Sequence, residues 1–113
     1  MVEDTFSAAH QLFGYDGPCE KLHGHTFKVQ VFIKGSNLKK EGFLLDFKEI
    51  KSILKENLAE FDHTNLNELG YFKKENPTSE NIARALYLKL IKILPIIKVT
   101  VWESPNASAA YYE

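Results

Sequence analysis

The chain has 113 residues, 44 % of them hydrophobic and 26 % charged, which is the make-up of one ordinary globular domain, residues 1–113, with a modest core. A net charge of −1 argues against general nucleic-acid binding, which demands a basic surface to neutralise phosphates, so an anionic substrate would have to be drawn by local lysines or a metal ion. With a single cysteine, no basic-then-apolar leader and no apolar run near the roughly 18–20 residues that span a bilayer, the protein is expected to lack an intrachain disulfide, to avoid membranes and to be cytoplasmic.

In chain order, residues 5–13 alternate loosely and read as a first strand. A turn region follows, carrying Gly14, Asp16, Gly17 and Pro18. Residues 26–34 then read as a second strand, with Phe27, Val29, Val31 and Ile33 on one side and Lys28, Gln30 and Lys34 on the other. Asp46 caps a helix and Glu49, three residues on, completes a capping box; Phe47, Ile50, Leu54 and Leu58 form its apolar stripe. Residues 61–77 read as a polar loop. A second helix starts at Thr78 or Ser79, carries Ile82, Ala83, Leu86 and Leu90 on its inner side, and is stopped by Pro95. Residues 97–103 and 107–112 read as two further strands. The order β-β-α-α-β-β predicts an α+β fold, a four-stranded antiparallel sheet with two helices on one face. Its open edges must be blunted or paired with another subunit.

Side chains two apart on a strand share a face. His23 and His25 therefore project together, with the parity of Phe27 and Val29, and His10 shares the parity of Phe6 and Ala8. Three imidazoles on the sheltered side of one sheet suit zinc, and catalytic zinc commonly keeps three protein ligands and an open position. A lone histidine is more often a satisfied core residue, and exposed strands carry His-x-His pairs by chance. Three of the four histidines on matching faces outweigh both. Cys19, four residues before His23, admits three readings: a fourth ligand closing a structural site, a base or nucleophile with a lowered pKa, or an inert thiol. Asp62 directly precedes His63, and a carboxylate beside an imidazole can fix its tautomer, although sequence neighbours often point apart. Glu103 has the parity of Val99 and Val101, which puts a carboxylate on the apolar face, where it needs two parallel N–H donors or a basic side chain. Glu80 is accounted for as first-turn charge opposite the helix dipole.

These residues resemble the 6-pyruvoyltetrahydropterin synthase / 6-carboxytetrahydropterin synthase family. The matching stretches are Phe6-Ser7-Ala8-Ala9-His10, Cys19-Glu20-Lys21-Leu22-His23-Gly24-His25, Leu45-Asp46-Phe47, Phe61-Asp62-His63-Thr64-Asn65-Leu66-Asn67, Asn76-Pro77-Thr78-Ser79-Glu80-Asn81 and Val101-Trp102-Glu103-Ser104. The resemblance implies a tunnelling fold whose sheets join edge to edge, usually a homohexamer of two trimers with active sites at subunit interfaces. It also implies zinc on His10, His23 and His25, proton transfer by Cys19, Asp62 and His63, and a pterin substrate anchored by Glu103 with help from Thr78, Ser79 and Glu80.

Within the family the interval between the cysteine and the first His of His-x-His differs by branch. Cys19-x3-His23-Gly-His25 resembles the enzymes that form 6-carboxytetrahydropterin from 7,8-dihydroneopterin triphosphate in queuosine-type pathways; the pyruvoyl enzymes have a longer interval. A folate-type group that cleaves the side chain to 6-hydroxymethyl-7,8-dihydropterin has Glu in place of the cysteine, and here Glu20 follows Cys19. The carboxytetrahydropterin activity is the expectation, and pyruvoyl-type triphosphate elimination or cleavage through Glu20 the alternatives. From other classes come a non-catalytic protein with a structural zinc site and a metal-free thiol hydrolase built on Cys19, His63 and Asp62. Lys21 and Lys28 are candidate contacts for the triphosphate.

Overall fold

Period-two alternation is realised in the computed structural model, which describes residues 1–14 and 21–113. Strands β1 (Val2–His10) and β2 (His23–Ile33) pair antiparallel, with Phe6 opposite Phe27 and His10 opposite His23. Helix α1 (Phe47–Leu58) follows, capped by Asp46, whose side chain accepts from the Lys48 amide at 2.9 Å. The reciprocal bond from Glu49 expected of a capping box does not form, and Glu49 contributes only first-turn charge. Ile50, Leu54 and Leu58 are buried as expected, but Phe47 is 65 % exposed, so the apolar stripe begins one turn later.

The segment expected to be a polar loop carries structure of its own. Phe61, Leu66 and Phe72 are buried in it, two single 3-10 turns span Leu66–Glu68 and Gly70–Phe72, and Thr64–Asn65 forms β3, parallel to Ala8 and Ala9 of β1. A two-residue strand is too short to show alternation in sequence. Helix α2 (Ser79–Leu90) starts at Thr78, whose hydroxyl accepts from the Asn81 amide at 3.1 Å. Strands β4 (Ile96–Ser104) and β5 (Ala107–Tyr111) complete the sheet. Its order is β3-β1-β2-β4-β5, so the expected four-stranded antiparallel sheet is corrected to a five-stranded mixed one.

Both helices pack on the same face. Phe6, Phe27, Val29, Val31, Val99 and Val101 from the sheet meet Leu54, Leu58, Ile82, Leu86 and Leu90 in one core, and Phe6 stacks on Phe27 with ring centroids 5.0 Å apart. The opposite face is polar: Trp102 Nε1 donates to Gln30 Oε1 at 2.9 Å, and Ser7 and Thr26 hydroxyls meet at 3.0 Å. No helix among the described residues is long and apolar enough to cross a membrane.

Candidate metal centre

Because β1 and β2 are in register at their ends, the core-facing side chains of His10, His23 and His25 converge where Phe27 ends the apolar floor. Glu103 joins them from β4, whose pairing sets Val101 opposite Val29 and Trp102 opposite Lys28. One donor atom from each of these four residues lies within 4.8 Å of the others, a grouping that could hold a metal ion. His10 is 2 % exposed, and the other three are half-buried.

The outer ring nitrogens are already committed. His10 Nδ1 stands 2.7 Å from the Pro77 carbonyl, and His23 Nδ1 stands 2.7 Å from the Lys21 carbonyl. A carbonyl only accepts, so both Nδ1 atoms donate, and Nε2 is the atom each ring turns toward the cluster. Those two Nε2 atoms face each other at 3.1 Å. Ring nitrogens this close need a proton or a metal cation between them. Tetrahedral nitrogen ligands about 2.0–2.1 Å from a zinc ion stand about 3.3 Å apart, which is close to the observed spacing. His25 Nε2 is buried and has no partner in hydrogen-bonding geometry, although Glu103 Oε1 is 2.8 Å away. The donors therefore fit a cation. Burial pushes the His25 pKa below the usual histidine value, with Glu103 opposing the effect and His10 and His23 adding to it, which favours the neutral form a metal ligand needs.

Asp62 and His63 do point together. His63 Nδ1 lies 2.9 Å from Asp62 Oδ2, while Asp62 Oδ1 accepts from the Ser7 amide at 2.9 Å. The Ser7 bond holds the Asp62 carboxyl below the usual carboxylate range, opposed by desolvation and assisted by His63. His63 adopts φ +57 and donates its own amide to the Ser7 carbonyl at 2.6 Å. No hydrogen bond or ion pair among the described residues joins this pair to the four-residue cluster. The two meet only as part of the lining of an open depression of about 520 Å³, to which His25 and His63 both contribute along with Ser7, Ala9, Thr26 and Thr64.

The 78–80 turn abuts the cluster through Pro77. Thr78 is committed to capping, Ser79 Oγ is buried with no partner among the described residues, and Glu80 is exposed in the first turn of α2. Cys19 and Glu20 lie outside the described residues. Sequence reasoning missed Asn67 and Asn76. Asn67 accepts from the Gln11 amide and donates to the Gln11 carbonyl, both at 2.9 Å. Asn76 does the same for Phe13 at 2.9 and 2.8 Å. Each primary amide thus stands in for one strand residue, which explains why the alternation of residues 5–13 outruns the ladder at His10. The pair of asparagines in the motif stretches was the available signal.

Comparison with known proteins agrees with this architecture. The profile of the 6-pyruvoyl tetrahydropterin synthase family matches residues 1–113. A 6-carboxy-5,6,7,8-tetrahydropterin synthase of Haemophilus influenzae is 34 % identical over 135 aligned residues, covering 98 % of this chain and 96 % of that one. A dihydroneopterin monophosphate aldolase of Pyrococcus furiosus is 35 % identical over 103 residues, covering 88 % of this chain and 83 % of its own. Among solved structures, the 6-pyruvoyl tetrahydropterin synthase of Caenorhabditis elegans superposes with a TM-score of 0.90 at 29 % identity, covering 99 % of this chain and 92 % of that one.

Proposed function

This chain belongs to the 6-pyruvoyl tetrahydropterin synthase family, and we propose that it converts 7,8-dihydroneopterin triphosphate to 6-carboxy-5,6,7,8-tetrahydropterin, with a zinc ion held by His10, His23 and His25. The observation that carries the metal is the four-residue group in which the Nε2 atoms of His10 and His23 face each other at 3.1 Å while both Nδ1 positions are spent on carbonyls. A set of neutral imidazoles suits zinc better than the hard cations, which prefer oxygen. The choice of product is supported by the Cys19-x3-His23 interval and by the relative from Haemophilus influenzae.

When bound, the ion supplies Lewis acidity for the negative charge that develops as a substrate side-chain carbon loses its proton. Cys19, as thiolate, takes that proton. His63 exchanges protons at Nε2, because Asp62 holds its Nδ1. Glu103 accepts from the two parallel N–H groups of the amino-pyrimidine edge, and the 78–80 turn, with the spare hydroxyl of Ser79, borders the ring. Assembly as a homohexamer, a dimer of trimers, brings the Asp62–His63 pair of one subunit to the cluster of another.

A second reading is side-chain cleavage to 6-hydroxymethyl-7,8-dihydropterin, with Glu20 as the acid–base group. It is favoured by the adjacency of Glu20 to Cys19 and by the aldolase relative from Pyrococcus furiosus.

Incubation of the zinc-loaded protein with 7,8-dihydroneopterin triphosphate, with the product pterin identified by mass, tests both. A carboxy product is expected, and Cys19→Ala should keep zinc while losing at least about 10²-fold in turnover. A hydroxymethyl product would transfer the assignment to the second reading. Turnover that survives stringent chelation would remove the metal from the mechanism, and loss of zinc with Cys19 would mark a structural site.

A further inference from the structure

Glu103 stands in two places at once. As the anchor for a pterin edge it should offer both carboxylate oxygens to the ligand, yet its Oε1 lies 2.8 Å from His25 Nε2 and 3.5 Å from His10 Nε2. His25 Nε2 finds no hydrogen-bonding geometry in that contact, so the approach is not an ordinary histidine–carboxylate bond. Both residues instead belong, with His10 and His23, to a group whose possible ligand atoms all lie within 4.8 Å of one another.

Glu103 reaches the cluster by continuing the core-facing alternation of Val99 and Val101 on β4. On its β5 side, β4 slips register between Trp102, opposite Ser108, and Ser104, opposite Ala107, which leaves Glu103 as the extra residue of a bulge. Bulges recur beside active sites. The neighbouring Trp102 is pinned on the other face by its bond to Gln30 and by Lys28 Nζ, 5.1 Å from its ring centroid. These contacts hold the residue beside Glu103, at the strand end that brings the carboxylate to the histidines. The Glu103 side chain keeps 32 % exposure, enough for the second oxygen to meet a ligand arriving from outside.

We propose that Glu103 is the fourth ligand of the metal ion in the substrate-free protein and leaves it when a pterin binds. The lone pairs that coordinate a cation are those that would accept the two parallel N–H groups of a guanidine-like edge, so the carboxylate serves one partner at the expense of the other. Seating the ring draws Glu103 away and frees a coordination position for the oxygens of the substrate's own side chain. Recognition of the ring and opening of the metal are then one event, and a phosphorylated molecule without the pterin edge meets a closed centre. This rests on the pterin reading above for its second half only; ligation in the resting state stands without it.

Cobalt(II) in place of zinc tests it, since its visible absorption reports coordination number and ligand type. Without any pterin, Glu103→Ala should change the cobalt spectrum and loosen the ion at least about tenfold in competition with a chelator, and Glu103→Gln should fall between the two. Circular dichroism is used to confirm that each variant is folded. Adding 7,8-dihydropterin, which has no side chain able to ligate, should move the native spectrum toward that of Glu103→Ala. Identical spectra and affinities for native protein and Glu103→Ala would overturn ligation by Glu103. A Glu103-dependent spectrum that dihydropterin leaves unmoved would overturn its release. If the spectrum depends on Glu103 but no dihydroneopterin derivative is turned over, the proposed function fails and the fourth ligand survives.

Discussion

His63 holds φ +57, a region that a non-glycine side chain occupies at a cost of about 1–3 kcal/mol. That strain is sustained by two contacts to Ser7, the His63 amide on its carbonyl and the Asp62 carboxylate on its amide, and the result is an imidazole held outward on an exposed turn. Asp62 also sets a pH signature. Its folded-state pKa lies below the ordinary value of 3.8, chiefly through the Ser7 amide, so the unfolded chain binds the proton more readily. The stabilisation is therefore complete above the ordinary carboxylate value and disappears as pH falls through the lowered one. The gap in urea midpoint between native protein and Asp62→Asn should accordingly be constant near neutrality and close in acid. A gap that widens on acidification would show that the carboxylate is not the stabilising form.

At the scale of elements, the stretch after β1 depends on borrowed strand partners. Asn67 and Asn76 each give one donor and one acceptor to residues 11 and 13, and Asn81 in turn donates to the Asn76 carbonyl at 2.8 Å. The adjoining Pro77 carbonyl orients the His10 ring. Removing Asn76 thus loosens the exit of β1 and the second-shell support of one imidazole together. Asn76→Ala is expected to cost about 1–2 kcal/mol in unfolding free energy and about tenfold in metal affinity. Asn76→Asp, which keeps the acceptor and loses the donor, should cost less. Urea titration and chelator competition measure the two effects separately. Unchanged metal affinity in a destabilised Asn76→Ala would confine the clamp to a structural role.

Over the whole molecule, the sheet leaves strand edges available. β3 covers β1 only at Ala8 and Ala9, and β5 is the last strand on the other side. Exposed edges of this kind invite pairing with another chain, and the proposed assembly joins them into a closed barrel. Light scattering on the eluting protein should give six times the 12.9 kDa chain mass. Proline substitution of Ala109 in β5 should shift that mass downward, because proline removes a ladder donor and kinks the edge. A native protein that elutes as a monomer at micromolar concentration, with full turnover, would remove the interface from the site.

What could be read from the residues alone was what local periodicity encodes. The faces of β1, β2 and β4, both helix starts and the convergence of His10, His23 and His25 all follow from parity and capping, which depend on neighbours within a few positions. The tertiary structure decided the rest, because the deciding partners are far apart in sequence. Thr64 and Asn65 become a strand only because Ala8 and Ala9 are there to pair with. Glu103 already shares the core face by parity, but it meets the histidines only because β4 pairs beside β2, with Val101 opposite Val29. Asn67 and Asn76 count only once they reach Gln11 and Phe13, 56 and 63 residues away, a distance across which no local pattern carries information.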